Sequence, residues 1–321
     1  MQAATTRRPR RRCLTTGLVA ASLGFTAACG GGSSPSATVT AGTTPSAFPV
    51  TLQTSQGPVT ITSKPTAIVS LSPTATEDLY AIGAGSQVKA VDKYSDYPAG
   101  TPKTNLSELQ LNVESLLALE PDLVIVPDNS NNLSARMKAL SIPVLVLPSA
   151  TKIDDVYSQL SEIGKATGHA AEAAAESASI RAQLQKIAAS VPPRAKPLTY
   201  YYELSPDFYS ITSDTFVGQL LRLIGLRSIA DSASGAAKSG GYPQLSSEFI
   251  VKADPDFVFL ADTICCRQSS ATVAARPGWS QIAAVKHHAV VGLNDDIASR
   301  WGPRIVDLLQ TAADAVSSAA G

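Results

Sequence analysis

Apolar and polar positions along this chain follow two periods. Short apolar runs read as buried strands: AIVSLS from Ala67, VKAVD from Val88, DLVIVP from Asp122 and PVLVLP from Pro143 in the first half. LTYYYEL from Leu198, DFVFLAD from Asp256 and AVVGLN from Ala289 read the same way in the second. Between them apolar residues recur at helical spacing, in TEDLYAIGA, NVESLLALE, FVGQLLRLIG, SSEFIVKAD and PRIVDLLQTAADAV. Strands separated by helix-length segments predict βαβ units and mainly parallel sheets. TLQT and VTIT, around Gln56-Gly57, predict a small hairpin ahead of the first sheet.

The pattern also repeats. NVESLLALEPDLVIVPD (112–128) aligns without a gap on SSEFIVKADPDFVFLAD (246–262), pairing Glu114 with Glu248, Pro121 with Pro255, Asp122 with Asp256 and Asp128 with Asp262. LYAIG and LRLIG precede the two units. Each half therefore carries one helix–turn–strand module, as two related lobes would. Chance likeness of helix–Pro-Asp–strand patterns is the competing explanation, Pro-Asp being a common turn. Between the halves lies an Ala-rich, charged segment ending at Pro192-Pro193 and set off by Gly168 from DDVYSQLSEIGKA. Some twenty helical residues span about 30 Å, so one continuous helix is expected to join the lobes. The predicted fold class is α/β, with two Rossmann-like lobes of mainly parallel sheet joined by one long backbone helix. The expected domains are residues 49–168, a connecting helix at 169–193 and residues 194–321.

Ahead of this body, RRPRRRC and the small-residue apolar stretch LTTGLVAASLGFTAA have the layout of a secretory signal over residues 1–28, too short for a membrane span. Ala27, Ala28, Cys29 and Gly30 resemble a bacterial lipoprotein cleavage site, with Thr26 departing from the pattern. The expectation is a lipidated Cys29 on an uncharged, flexible linker over residues 29–48, holding the protein on the extracytoplasmic face of the cell membrane. A soluble secreted protein cleaved near Ala28 is the alternative, and the paired arginines leave Sec and twin-arginine export both open. Lys and Arg total 26 and Asp and Glu total 26, so no basic face points to a nucleic-acid partner. A monomer is expected.

IVSLSPTATEDLYAIGAG, VKAVDKYSDYP, NVESLLALEPDLVIV, GYPQLSSE and RWGPR together resemble the solute-binding proteins of bacterial ABC importers, of the type joined by a single backbone helix, which carry cobalamin, ferric siderophores or haem. SLSPTATE followed by YSDYP is most similar to the cobalamin-binding branch. The resemblance implies capture of a metal-chelate nutrient, most of all a corrinoid, and its delivery to a two-fold permease. It implies a ligand face formed by Tyr94, Tyr97, Phe208, Tyr242, Asp296, Arg300 and Trp301. It also implies that Glu114 and Glu248, one on each lobe, pair with permease arginines; stabilisation of a helix N-terminus is the plainer use of such glutamates. The chain departs from the cobalamin binders where Glu108, Asp128 and Asn129 stand in place of bulky aromatics, which keeps corrinoid precursors and siderophores in view.

Catalytic signatures are missing: no P-loop, no G-x-S-x-G elbow and no H-E-x-x-H occurs. The only histidines, His169, His287 and His288, form no cluster with carboxylates in the sequence, so no resident metal or cofactor is expected. An enzyme is not expected, although a cell-surface enzyme on an α/β scaffold remains the rival class. Cys265 and Cys266 are adjacent, past the strand DFVFLAD, and are assigned no role by the sequence.

Overall fold

The computed structural model describes residues 48–54 and 56–319. The expected signal segment, Cys29 with its lipidation, and the linker up to residue 47 lie outside the described residues. Strands β1 (Val50–Thr54) and β2 (Gly57–Ile61) pair antiparallel as the predicted hairpin. Strands β3 (Ile68–Ser70), β4 (Val88–Val91), β5 (Leu123–Val126) and β6 (Val144–Val146) form one parallel sheet in the order β4-β3-β5-β6. Strands β7 (Leu198–Glu203), β8 (Leu226–Ser228), β9 (Phe257–Leu260) and β10 (Val290–Gly292) form a second, ordered β8-β7-β9-β10. Counted within each lobe, both orders are second-first-third-fourth, so the repeat extends from sequence to topology.

The helices are α1 (Pro73–Ala81), α2 (Val113–Leu117), α3 (Leu133–Lys138), α4 (Ile153–Thr167), α5 (Ala170–Ser190), α6 (Phe216–Arg222), α7 (Ser247–Ala253), α8 (Ser270–Ala274), α9 (Ala283–Lys286), α10 (Asp295–Ser299) and α11 (Ile305–Ser318). Equivalent residues of the repeat do equivalent work. Asn112 caps α2 by accepting from the Ser115 N–H at 3.0 Å, and Ser246 caps α7 by accepting from Phe249 at 3.2 Å. Asp122 accepts from the Thr66 and Ala67 N–H groups, just before β3; Asp256 accepts from the Thr199 N–H and hydroxyl at the start of β7. Each Pro-Asp turn thus ties the third strand of its lobe to the root of the first.

Residues of β3, β5, β6 and β9 are buried on both faces, which is why these strands read as apolar runs rather than as alternation. Leu123 and Ile125 face a core that runs through α4, α5 and α11 into Tyr200, Tyr202, Phe257 and Phe259 of the second sheet. Val124 and Val126 face a separate cluster under α2 and α3, and Val258 and Leu260 one around Trp279. The long helix α5 presents Ala173, Ile180, Leu184 and Ile187 to the shared core, a stripe at helical spacing. Its approach to α4 requires Gly164, where a Cβ would sit 2.5 Å from that of Ala173, and the chain turns between the two helices at Gly168 with φ 75°. The connecting helix is therefore docked by one stripe onto a layer common to both sheets, which stiffens the joint.

Candidate ligand-binding cleft

In sheets with this order, the loops diverge where the first and third strands lie side by side, and ligands collect outside the carboxyl ends of those strands. Here the two sets of carboxyl ends meet. Arg300, beyond β10, reaches across to the first lobe: its guanidinium donates to Glu77 Oε1 and Asp96 Oδ1 at 3.0 Å each and to the Tyr94 carbonyl at 2.9 Å. It also donates to Asp296 on its own lobe at 2.8 Å. Arg304 donates to both oxygens of Glu77, at 2.9 and 2.5 Å, and lies 4.1 Å from the centre of the Tyr97 ring. Glu77 is buried on α1, so two cations from one lobe converge on one anion of the other.

Local sequence explains how that anion is held. Ser72 accepts from the Ala75 N–H and Pro73 opens α1, so the turn SLSPT starts the helix directly off β3. Glu77 follows one turn later. Burial, then the charges of Glu77 and Glu176, push the neighbouring Asp78 well above the ordinary carboxylate range.

The residues expected to bind ligand fall into two groups. Tyr94, Tyr97, Asp296 and Arg300 are brought together by the contacts above, with Tyr94 and Tyr97 exposed. Arg300 makes four hydrogen bonds to protein groups of both lobes and in that way clasps them together. Trp301 is half-buried, its indole N–H donating to Gln159 on α4 at 3.0 Å. Phe208 and Tyr242 lie on two loops joined by the pairing of Tyr209 with Gln244. Tyr242 is exposed there, whereas Phe208, with φ 65°, is stacked on Trp279 at 5.7 Å. Glu114 and Glu248 are exposed in the first turns of α2 and α7. Two bonds to Glu248, from its own N–H and from Ser246, hold its carboxyl below the usual range. His287 and His288 are exposed in the turn that precedes β10, at the opposite edge of the sheet.

Sequence reasoning passed over Glu77, Asp96 and Arg304, although the first lies in SPTATE and the last in RWGPR; opposite charges in two distant motifs were the available signal. It also missed a buried ion pair on the second lobe. Arg276 donates to both oxygens of Glu203 at 2.6 Å, beside Asp262 at the end of β9. Burial, then the Glu203 charge, pushes Asp262 up to about 7, and neither of its oxygens meets a donor. On the first lobe Leu71, Glu108, Leu111, Val126, Asp128 and Leu133 line a shallow depression. There burial, then the Asp92 and Asp128 charges, raises Glu108. Glu108 and Asp128 give that depression an acidic lining. Among the described residues no group of three or more His, Cys, Asp or Glu could hold a metal ion.

Large apolar side chains are exposed selectively. Among the described residues, Tyr94, Tyr97, Leu109, Tyr209, Tyr242 and Ile264 stand on segments leaving the carboxyl ends of strands, whereas Leu140 and Leu223 lie elsewhere. Apolar surface gathered at one edge marks a site that expects to be covered.

Known proteins share this arrangement. YvrC, an ABC transporter substrate-binding lipoprotein of Bacillus subtilis, is 33% identical over 279 residues, covering 84% of this chain and 86% of its own. The cobalamin-binding protein of Halobacterium salinarum is 33% identical over 279 residues, covering 84% of this chain and 74% of its own. A solved structure, of a possible iron-binding (periplasmic solute-binding) protein of Staphylococcus epidermidis, superposes with a TM-score of 0.68 at 27% identity, over 79% of this chain and 99% of that one. Residues 68–297 match the periplasmic binding protein family, and with two parallel lobes meeting at their carboxyl edges the chain belongs to it.

Proposed function

We propose that the protein captures a large metal chelate of low net charge, a corrinoid such as cobalamin above all, in the cleft between its lobes and passes it to an ABC importer at the membrane. The observation that carries this reading is that exposed Tyr94, Tyr97, Leu109, Tyr209, Tyr242 and Ile264 all stand on segments leaving the carboxyl ends of strands. A macrocycle offers broad apolar faces to such side chains, with polar groups only at its rim. Charge narrows the class. Arg276, Arg300 and Arg304 are each ion-paired within the protein, while Glu108 and Asp128 add negative charge to the first lobe. A multiply anionic ferric catecholate would enter this cleft against repulsion; neutral cobalamin would not. The cleft groups with exposed rings are tyrosines, and the histidines lie outside it, which disfavours a haem held by imidazole. A neutral ferric chelate, such as a ferric hydroxamate, is the second reading; the likeness to the possible iron-binding protein of Staphylococcus epidermidis supports iron, and the acidic first lobe supports low anionic charge.

The test is titration of the purified protein with cyanocobalamin, haemin, a ferric catecholate and a ferric hydroxamate, following tryptophan emission and heat. Saturable one-to-one binding of cyanocobalamin is expected, with quenching of Trp301 and no response to the catecholate. Saturation by the catecholate alone would overturn the assignment.

A further inference from the structure

Beyond β9 the chain enters a loop whose backbone is held rigidly. The Thr263 hydroxyl donates to the Leu293 carbonyl at 2.6 Å and to Asp295 at 3.0 Å; the N–H groups of Ile264 and Cys265 donate to the same carboxylate at 2.8 to 3.1 Å. The Cys266 and Gln268 N–H groups return to the Asp262 carbonyl, and Arg267 closes the turn at φ 56°. This framework brings the sulfurs of Cys265 and Cys266 to 2.8 Å from each other. The pair stands at the cleft, between exposed Ile264 and the Asp295-Asp296 step that leads to Arg300.

We infer that Cys265 and Cys266 are joined as a disulfide in the exported protein, closing a small rigid ring that forms part of the ligand face. The ligand-face half of this inference rests on the function proposed above; the bond itself does not. Asp295 argues against the other use of paired thiols, soft-metal capture, which needs thiolates. Burial, contact with Cys266 and the Asp295 carboxylate push the Cys265 thiol up to about 12. Burial works to raise Asp295 in turn, but the Cys265 and Ile264 N–H groups and the Thr263 hydroxyl hold it below the usual range, so it stays charged. Neighbours whose Cα atoms are only about 3.8 Å apart lie closer than the about 4.4–6.8 Å of ordinary bridges, but the framework already sets the two sulfurs against each other.

The oxidant is a protein or small-molecule disulfide of the extracytoplasmic space. Cys266 Sγ loses its proton to water and attacks one sulfur of that disulfide, whose other sulfur leaves as thiolate. Cys265 Sγ then loses its proton and attacks Cys266 Sγ, expelling the second sulfur. Two electrons and two protons leave the pair, and one oxidant disulfide becomes two thiols.

The exported protein is acid-quenched, denatured and treated with N-ethylmaleimide with and without prior reduction, and the peptide carrying both cysteines is weighed. No maleimide is expected before reduction and two after it. Two without reduction would overturn the disulfide, whatever the cleft binds. Cyanocobalamin affinity is then compared between oxidised protein, reduced protein and the Cys265→Ser/Cys266→Ser variant, with circular dichroism as the check on folding. A five- to tenfold loss in the last two is expected; equal affinities would overturn the ligand-face role. Blocked cysteines together with no corrinoid binding in any form would support the disulfide and count against the cleft reading alone.

Discussion

Glu77 holds two arginines of the opposite lobe, and its burial makes the arrangement one-sided. Asp96 and Asp296 also neutralise Arg300, whereas Arg304 forms its direct ion pair with Glu77, beside the Tyr97 ring and the more distant charge of Asp296. Glu77→Gln should therefore leave an uncompensated, mostly buried cation and cost about 3 kcal/mol in urea unfolding with unchanged circular dichroism. A loss below about 0.5 kcal/mol would mean that the lobes are held by the shared helical layer alone. Asp262 carries a second residue-scale prediction. Its folded value of about 7 lies above the ordinary 3.8, so the native state binds the proton more tightly than the unfolded chain. That stabilisation is fully present below about pH 4 and is lost as pH rises through about 7. Asp262→Asn should raise the melting temperature at pH 8 by a few degrees, what about 1–2 kcal/mol gives at this size. The gain should shrink toward pH 5, as differential scanning calorimetry across pH would show. A gain that does not vary with pH would exclude protonation as its cause.

At the scale of elements, the repeat makes a matched prediction. Asn112→Ala and Ser246→Ala each remove the cap of a short helix at the same register position, so each should cost about 1 kcal/mol. The double variant should show the sum within about 0.5 kcal/mol, because the sites lie on different lobes and share no partner. Denaturant midpoints of the three variants check this, and a strongly non-additive double would reveal coupling through the common core. Many of these elements were legible in sequence because most strands are continuous apolar runs and α1, α2, α6, α7, α8 and α10 start at Ser, Thr or Asn caps. β8 was not legible: LRS is three residues long, with an exposed Arg227 between two buried neighbours, and follows directly on Gly225. The site was legible only in part. Loop aromatics at strand ends announce a cleft, but whether an arginine is free or clasped depends on which acid the other lobe brings to it. No local pattern around Arg300 carries that information.

On the scale of the whole molecule, a helix leaving the carboxyl end of a strand begins at that same edge. The first turns of α2 and α7 accordingly stand at the rim of the cleft, one on each lobe, with Glu114 and Glu248 exposed at equivalent positions. α4, α5 and α11 share one core between the sheets, so the separation of the two carboxylates is fixed and small lobe movements leave it nearly unchanged. A two-fold partner covering the cleft mouth with one cation over each lobe would match that spacing. Glu114→Ala combined with Glu248→Ala should leave corrinoid affinity within about twofold and should reduce cellular uptake of a labelled corrinoid at least about tenfold. Each single variant should fall between, and raising salt should weaken association of the unchanged protein with its importer, as exposed pairs are screened over about 10 Å at 0.1 M. Lost ligand affinity in the double variant would return both glutamates to the plainer task of stabilising their helix N-termini.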